Sequence, residues 1–347
     1  MPPVNHPGSP RVAVIGATGA VGLTLLELIA ERGLDHQELQ LVASACSAGR
    51  TLRVGANTWP VHALEDFSFD TTDLAFFCAG ADISWKWVPV AVGQGATVVD
   101  MTGAFSADPG TPLVVPEING DVLDRRPPGG VLSCPTSVSL PLARVLHGLD
   151  EHWGLRQVVV STYQAASGLG HAGVEELQEG TRLVLQDPHA APLSERFNPP
   201  LTFNVVPQTA SLAGSGGLLD EELLAPEVRS LLGLSDLDLN ATCVRVPTLN
   251  GCAESVWVEC RQPVRRDAII AHLNSLPGIT LYEEPGDHAY PTPATCADSD
   301  RIHVGRVRVS AFNPRGFWLW IVADNLRAGA ALNAVRIAEE LRDRGTM

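Results

Sequence analysis

Lysine is almost absent from this chain. Lys86 is the only one in 347 residues, so an anion site must be built from arginine, and amine chemistry is confined to one position. Positive charge is short as a whole: 24 Lys and Arg stand against 39 Asp and Glu, a formal net charge of -15. That field repels the phosphates of nucleic acids and anionic membrane surfaces, so neither is an expected partner. No apolar run approaches a membrane span. The opening residues, 1–10, carry Pro, Gly and Asn but no apolar h-region, and read as a short disordered lead and not a signal peptide. The seven cysteines are odd in number and never spaced C-x-x-C, which argues against a zinc site or a disulfide framework and for reduced thiols in a cytoplasmic protein.

What remains is an ordinary globular composition, 45% hydrophobic and 18% charged, in a chain long enough for two domains with separate cores. The first half alternates apolar runs (12–16, 39–44, 74–80, 97–101 and 113–118) with crossover-length segments. Such runs are the mark of a parallel sheet covered by helices on both faces. Past about residue 155 the texture changes. Val256-Trp257-Val258-Glu259-Cys260, and the runs 302–309 and 317–322 around Asn313-Pro314-Arg315-Gly316, predict strands of a larger, partly antiparallel sheet. Residues 185–202, rich in Pro and polar groups, read as a long surface loop. Near the end, Ala331, Ala334, Val335, Ala338 and Leu341 share one face of a predicted amphipathic helix.

A strand, Val12-Ala13-Val14-Ile15, leads directly into Gly16-Ala17-Thr18-Gly19-Ala20-Val21-Gly22 and then a helix predicted over 23–31. Gly16 permits the tight turn, Gly19 lets the backbone approach a pyrophosphate, and Gly22 lets helix and strand pack closely with the helix N-terminus facing the anion. The other reading is a strand-to-helix turn without a ligand. Where the second strand ends, an acidic residue would suit the ribose of NAD; here stand Ser44-Ala45-Cys46-Ser47-Ala48-Gly49-Arg50. Ser44, Ser47 and Arg50 suit a 2'-phosphate, so NADP is expected over NAD, with a plain polar loop as the alternative.

Cys134 lies in Leu132-Ser133-Cys134-Pro135-Thr136-Ser137. A thiolate there can attack an acyl carbon and present a thioester to a nicotinamide hydride, whereas a cysteine taken alone is more often a small buried hydrophobe. Its company decides the reading. Ser161-Thr162-Tyr163-Gln164-Ala165-Ala166-Ser167-Gly168 forms a polar stretch after the strand Val158-Val159-Val160, and further on come Cys243-Val244-Arg245-Val246-Pro247 and Val322-Ala323-Asp324-Asn325-Leu326-Arg327. With Leu113-Val114-Val115-Pro116-Glu117, Phe203-Asn204-Val205-Val206-Pro207-Gln208, Tyr290-Pro291-Thr292-Pro293 and Val304-Gly305-Arg306, these segments in this order resemble the aspartate-semialdehyde dehydrogenase family over nearly the whole chain.

The resemblance implies an α/β protein with a Rossmann-type parallel-sheet nucleotide-binding domain (11–133). An α+β dimerisation and catalytic domain with a mixed sheet (134–324) follows, and a C-terminal helix (325–347) returns to the first domain. It implies NADP-dependent reductive dephosphorylation of an aspartyl acyl phosphate through a thioester on Cys134. Gln164 would orient the intermediate, Arg245 would hold the substrate carboxylate, and Asn325 would hold the nicotinamide amide. A homodimer acting on a small molecule is implied too.

Several positions depart from the family's pattern. Its acid-base histidine is replaced by Cys252, its phosphate-binding arginine by Ser106 and its substrate-binding lysine by Leu223, with Asp220 or Glu221 as the surviving acid. Ser133 and Pro135 replace the usual neighbours of the nucleophile. A helix begun at Cys134 would carry Pro141 in its interior, at about 3 kcal/mol, so the helix is expected to kink or to start near Ser139. His171 is a solvated loop residue or a substitute base. These losses keep two further readings open: a catalytically degenerate paralogue that binds or assembles, and a reductase of a different acyl substrate.

Overall fold

The computed structural model describes residues 9–125, 127–209, 219–283 and 290–346; most of the expected N-terminal lead lies outside them. The chain forms two compact units. One runs to Thr136 and resumes at Ala330, and the other is Ser137–Gly329.

The first unit is built on β1 (Arg11–Ile15), α1 (Ala20–Arg32), β2 (Glu38–Ala43), β3 (Thr51–Val54), β4 (Asn57–Ala63), β5 (Leu74–Phe77), α2 (Ala81–Gly93), β6 (Thr97–Asp100), α3 (Pro116–Asn119) and β7 (Val131–Ser133). Its sheet has the order β3-β4-β2-β1-β5-β6-β7. All pairings are parallel except the β3–β4 hairpin. Period-two alternation explains why the strands are apolar throughout. Val12, Val14, Leu74 and Phe76 enter one core, while Ala13, Ile15, Ala75 and Phe77 enter the other, so each strand feeds two layers.

Two expectations change here. The run 113–118 is no strand: Leu113 makes one bridge to Ser133, and Pro116 opens the single turn α3. Its apolar character comes from burial of Leu113, Val114 and Val115. Helix α1 begins at Ala20 and not at residue 23, because Gly19 serves as its N-cap.

The second unit comprises α4 (Ser139–Trp153), β8 (Leu155–Gln164), α5 (Gly170–Gln186), α6 (Leu219–Leu232), β9 (Asp238–Arg245), β10 (Cys252–Cys260), α7 (Arg266–Ser275), β11 (Ile279–Tyr282), β12 (Ile302–Val309) and β13 (Gly316–Ala323). Its mixed sheet runs β11-β12-β13-β10-β8-β9. Helix α4 packs on β8, β10 and β13, and α6 on β9. Pro141 is the third residue of α4, in the first turn, where its missing N–H removes no helical bond. Cys134 therefore lies ahead of the helix and outside its first turn. The strand expected at Val158 to Val160 is longer, since β8 runs from Leu155 into the polar stretch as far as Gln164. Nor is 185–202 only a surface loop: Phe197 and Leu201 are buried against Ala166, Leu177 and Val206.

After Gly329, whose backbone (φ -85, ψ -131) breaks the turn Asn325–Ala331, the chain enters α8 (Leu332–Arg344) and rejoins the first unit. The five residues expected on its apolar face are all fully buried. Asn333 Nδ2 donates to Val114 O at 2.8 Å, and Arg32 pairs through two nitrogens with Glu339 at 2.8 and 2.7 Å. Each buried Leu, Ile or Val of this seam contributes about 1.5–3 kcal/mol.

Candidate active site

In the first unit the strand order reverses about β1, whose neighbours are β2 and β5. A crevice opens beyond the C-terminal ends of strands at such a switch point. It is present: a cleft of about 680 Å³ lined by Gly16, Thr18 and Gly19 after β1, Ser44 after β2, and Cys78 and Ala79 after β5. Gly16 sits at φ +96°, and a side chain there would meet Ala79 N at 2.8 Å. A Cβ on Gly22 would lie 2.2 Å from Gly16 O. These two glycines thus set the turn and the helix approach, as a dinucleotide loop requires.

The N–H groups of Gly16 and Ala17 both donate to Val42 O, at 2.8 and 3.1 Å, and Gly19 N–H donates to Gly16 O at 2.9 Å. Those of Ala20 and Val21, at the start of α1, have no intrahelical acceptor and can serve an anion. Ala17 is fully buried beneath the loop. Thr18 Oγ1 donates to Ser47 Oγ at 3.4 Å, so Ser47 joins the rim; Arg50 is exposed and does not line the cleft. Glu65 does line it, a residue that carried no signal in the sequence.

Cys134 follows β7, and its N–H donates to Asp100 O at 2.8 Å. Its side chain is 1% exposed, packed in the apolar cluster with Leu132, Val114 and Ala331, and it does not line the dinucleotide cleft. On the other face of β6, the Asp100 carboxyl accepts from Ser84 and Thr102, both at 2.8 Å, and burial raises its pKa. All seven cysteines are described, and none forms a disulfide.

In the second unit three of the named residues are register partners at one end of the sheet. Gln164, the last residue of β8, pairs with Arg245 of β9 on one side and Cys252 of β10 on the other. Same-face packing of paired strands makes them a row. Arg245 is 3% exposed; its guanidinium donates to Ala165 O at 2.8 Å and Thr209 O at 2.7 Å. No carboxylate forms an ion pair with it among the described residues, and burial lowers its pKa while Asp220 opposes that. A Cβ on Gly168 would fall 2.2 Å from its Nη1, so that glycine makes room for the guanidinium. Gln164 Nε2 donates to Asp220 at 3.2 Å and Thr162 at 3.3 Å. Glu221 instead accepts the Cys243 N–H at 2.8 Å. Of the two acids, Asp220 is the one joined to the row.

Cys252 is buried, and burial pushes its thiol well above the ordinary value, with Glu254 adding to the effect. A thiol so raised stays protonated at neutral pH and accepts no proton. Asn325 Oδ1 accepts from Gly251 N–H at 2.7 Å and Ser167 Oγ at 3.0 Å, which fixes the amide so that Nδ2 is the end left for a ligand. His171 is not in a loop: it stands exposed in the first turn of α5. Neither Ser106 nor Leu223 brings a charge; the Ser106 hydroxyl donates to Gly103 O at 3.1 Å.

One more carboxyl sits below the row. Glu254, two residues along β10 from Cys252, is 1% exposed, and neither of its oxygens has a hydrogen-bond partner among the described residues. Burial raises its pKa well above the usual carboxylate range, so it is held neutral.

Two models of known families match the chain: the semialdehyde dehydrogenase NAD-binding domain over residues 11–126 and the semialdehyde dehydrogenase dimerisation domain over residues 146–328. The aspartate-semialdehyde dehydrogenase of Bacillus subtilis (strain 168) is 36% identical over 341 residues, covering 96% of this chain and 97% of that protein. A crystal structure of aspartate semialdehyde dehydrogenase II from Vibrio cholerae complexed with ASA superposes with a TM-score of 0.92 at 35% identity, covering 96% and 98% of the two chains. A probable aspartate-semialdehyde dehydrogenase from Pseudomonas aeruginosa gives 0.89 at 33%, covering 95% and 98%.

Two outcomes follow from the geometry. Gly22→Ala is expected to lose dinucleotide binding and about 1–3 kcal/mol of stability, because backbone lies where the methyl must go; urea unfolding and cofactor titration read both, and wild-type values for both contradict it. For Glu254 the unfolded chain releases its proton above about pH 4.3, while the folded protein keeps it to a higher pH. Stability is therefore lost as pH rises through that window, at up to about 1.4 kcal/mol per pH unit. Glu254→Gln should raise the urea midpoint more at pH 8 than at pH 4; an equal change at both contradicts a neutral Glu254. By the glycine-loop cleft, the matched domains and the identity over nearly its full length, this chain belongs to the aspartate-semialdehyde dehydrogenase family.

Proposed function

We propose that this protein is an NADP-dependent enzyme that interconverts L-aspartyl 4-phosphate and aspartate semialdehyde plus phosphate, an oxidoreductase of amino-acid biosynthesis. The observation that carries the reading is Arg245: a guanidinium 3% exposed, held by two backbone carbonyls and in no ion pair with a carboxylate among the described residues. A buried cation in that state is costly unless a ligand completes it. A substrate carboxylate does so through a two-point pair.

A dinucleotide bound in the cleft of the first unit would supply the hydride chemistry. The free N–H groups of Ala20 and Val21 would carry its pyrophosphate over the turn shaped by Gly16, Gly19 and Gly22, with Ser44, Thr18 and Ser47 at its ribose end and Arg50 on the outer side of a 2'-phosphate. NADP is favoured over NAD because no acid stands at the end of β2. Cys134 is the nucleophile. Its sulfur bonds to the acyl carbon as the carbon–oxygen bond to phosphate breaks, leaving a thioester and inorganic phosphate. Gln164, fixed by Asp220 and Thr162, orients the acyl group.

Proton transfer is the weak step. With Cys252 in place of an imidazole, proton exchange falls to solvent, and turnover lower by about 10²–10⁴-fold is the expected consequence. The retained row of Arg245, Gln164 and Asp220 supports an active enzyme over a degenerate paralogue. Reduction of NADP with aspartate semialdehyde and phosphate should be detectable and should vanish in Cys134→Ala; activity that survives this change removes the thioester step.

The outer face of the six-stranded sheet supports a homodimer. Trp257 and Trp318 pack at 5.3 Å and Tyr163 and Trp320 at 5.6 Å, with Val159 and Trp318 still 39% and 38% exposed. Aromatic surface of this kind is covered in stable assemblies. Sedimentation equilibrium should give twice the chain mass in the wild type and the monomer in Trp318→Glu; a monomeric wild type contradicts the dimer.

A further inference from the structure

Beside Arg245 lies a cavity of about 620 Å³, formed wholly by the second unit. Its wall holds a second arginine, Arg196, together with Thr209, Gln208 and Asn198, and no acidic residue among the described residues. Two guanidiniums facing one space without a carboxylate make a local positive field in a chain of net charge -15.

The loop that presents Arg196 is fixed. The N–H groups of Glu195, Arg196 and Phe197 all donate to the buried carboxylate of Glu176 in α5, at 3.0, 2.6 and 3.0 Å. Phe197 then anchors in the small apolar cluster with Leu177 and Leu201. The Arg196 side chain itself is exposed and makes no ion pair among the described residues. A second polar group has no partner among the described residues: Thr209 is 6% exposed, and its hydroxyl makes no hydrogen bond to them. Buried hydroxyls are ordinarily satisfied, so one left open on a cationic cavity points to a ligand oxygen.

We propose that Arg196 and the Thr209 hydroxyl bind the phosphate of the reaction, while Arg245 in the same cavity holds the substrate carboxylate. This rests on the reading of Arg245 given above and assigns the substrate class as a small molecule with two anionic groups. An arginine fork and a hydroxyl donor match a phosphoryl group, which offers three acceptor oxygens. The two cations answer both charged ends of the ligand.

The test is a calorimetric titration of inorganic phosphate into the intact protein, at ionic strength held constant with chloride. The wild type should bind. Arg196→Ala should weaken binding about tenfold or more, Arg196→Lys should weaken it less, and Arg182→Ala, a remote exposed arginine paired with Glu179, should change nothing. In the oxidative direction Arg196→Ala should raise the KM for phosphate by a similar factor and leave that for the aldehyde within about twofold. No binding by the wild type, equal affinity in Arg196→Ala, or an unchanged phosphate KM overturns the proposal. If the protein binds phosphate through Arg196 yet turns over no aldehyde, the dehydrogenase reading fails and the phosphate site stands.

Discussion

A guanidinium buried without an ion pair to any carboxylate among the described residues is the constraint on which the second unit is organised. Arg245 is reached only because β9 and β8 run parallel and in register to their ends, which sets it beside Gln164. Gly168 must lack a side chain to admit it, and the carbonyls of Ala165 and Thr209 must turn inward to receive its N–H groups. Those contacts orient the charge without neutralising it. The arrangement is unfavourable for folding alone and favourable for holding an anion, the trade between stability and function expected at a ligand site.

The first unit reads differently because its function is carried by backbone. Gly16 and Gly22 act through what they lack, and the cleft between β1 and β5 follows from the order of the strands. That part was legible in the sequence, since apolar runs, turn glycines and a 3.6-residue period are local signals. Most of the predicted strands, the sites of Gly16 to Gly22 and the apolar face of α8 could be read in this way. The run at 113–118 misled because burial on all sides gives the same apolar composition as a strand, and Pro116 was the sign that it stops. The helix start holding His171 reads as a loop in the sequence because Gly170 and Gly173 both lie in its first turn.

The candidate site was legible only in part, for a physical reason. Gln164, Arg245 and Cys252 are far apart in the chain, and only strand pairing makes them neighbours. Resemblance could name them, but the open charge of Arg245, the engagement of Asp220 over Glu221, and the orphan carboxyl of Glu254 are properties of packing. Arg196 carried no motif at all; its position depends on three backbone N–H groups gathered by Glu176. The loss of histidine at position 252 had been visible as a missing base. Burial adds that the thiol in its place is held protonated.

The central claim is that Arg245 keeps its charge open for a carboxylate. The most direct measurement is the ratio of kcat/KM for aspartate semialdehyde over that for its α-carboxamide, in the wild type and in Arg245→Met, a cycle that isolates the one pairing. The account predicts a preference for the carboxylate of about 10²-fold or more in the wild type and none in the variant. Equal use of the two substrates by the wild type would contradict it.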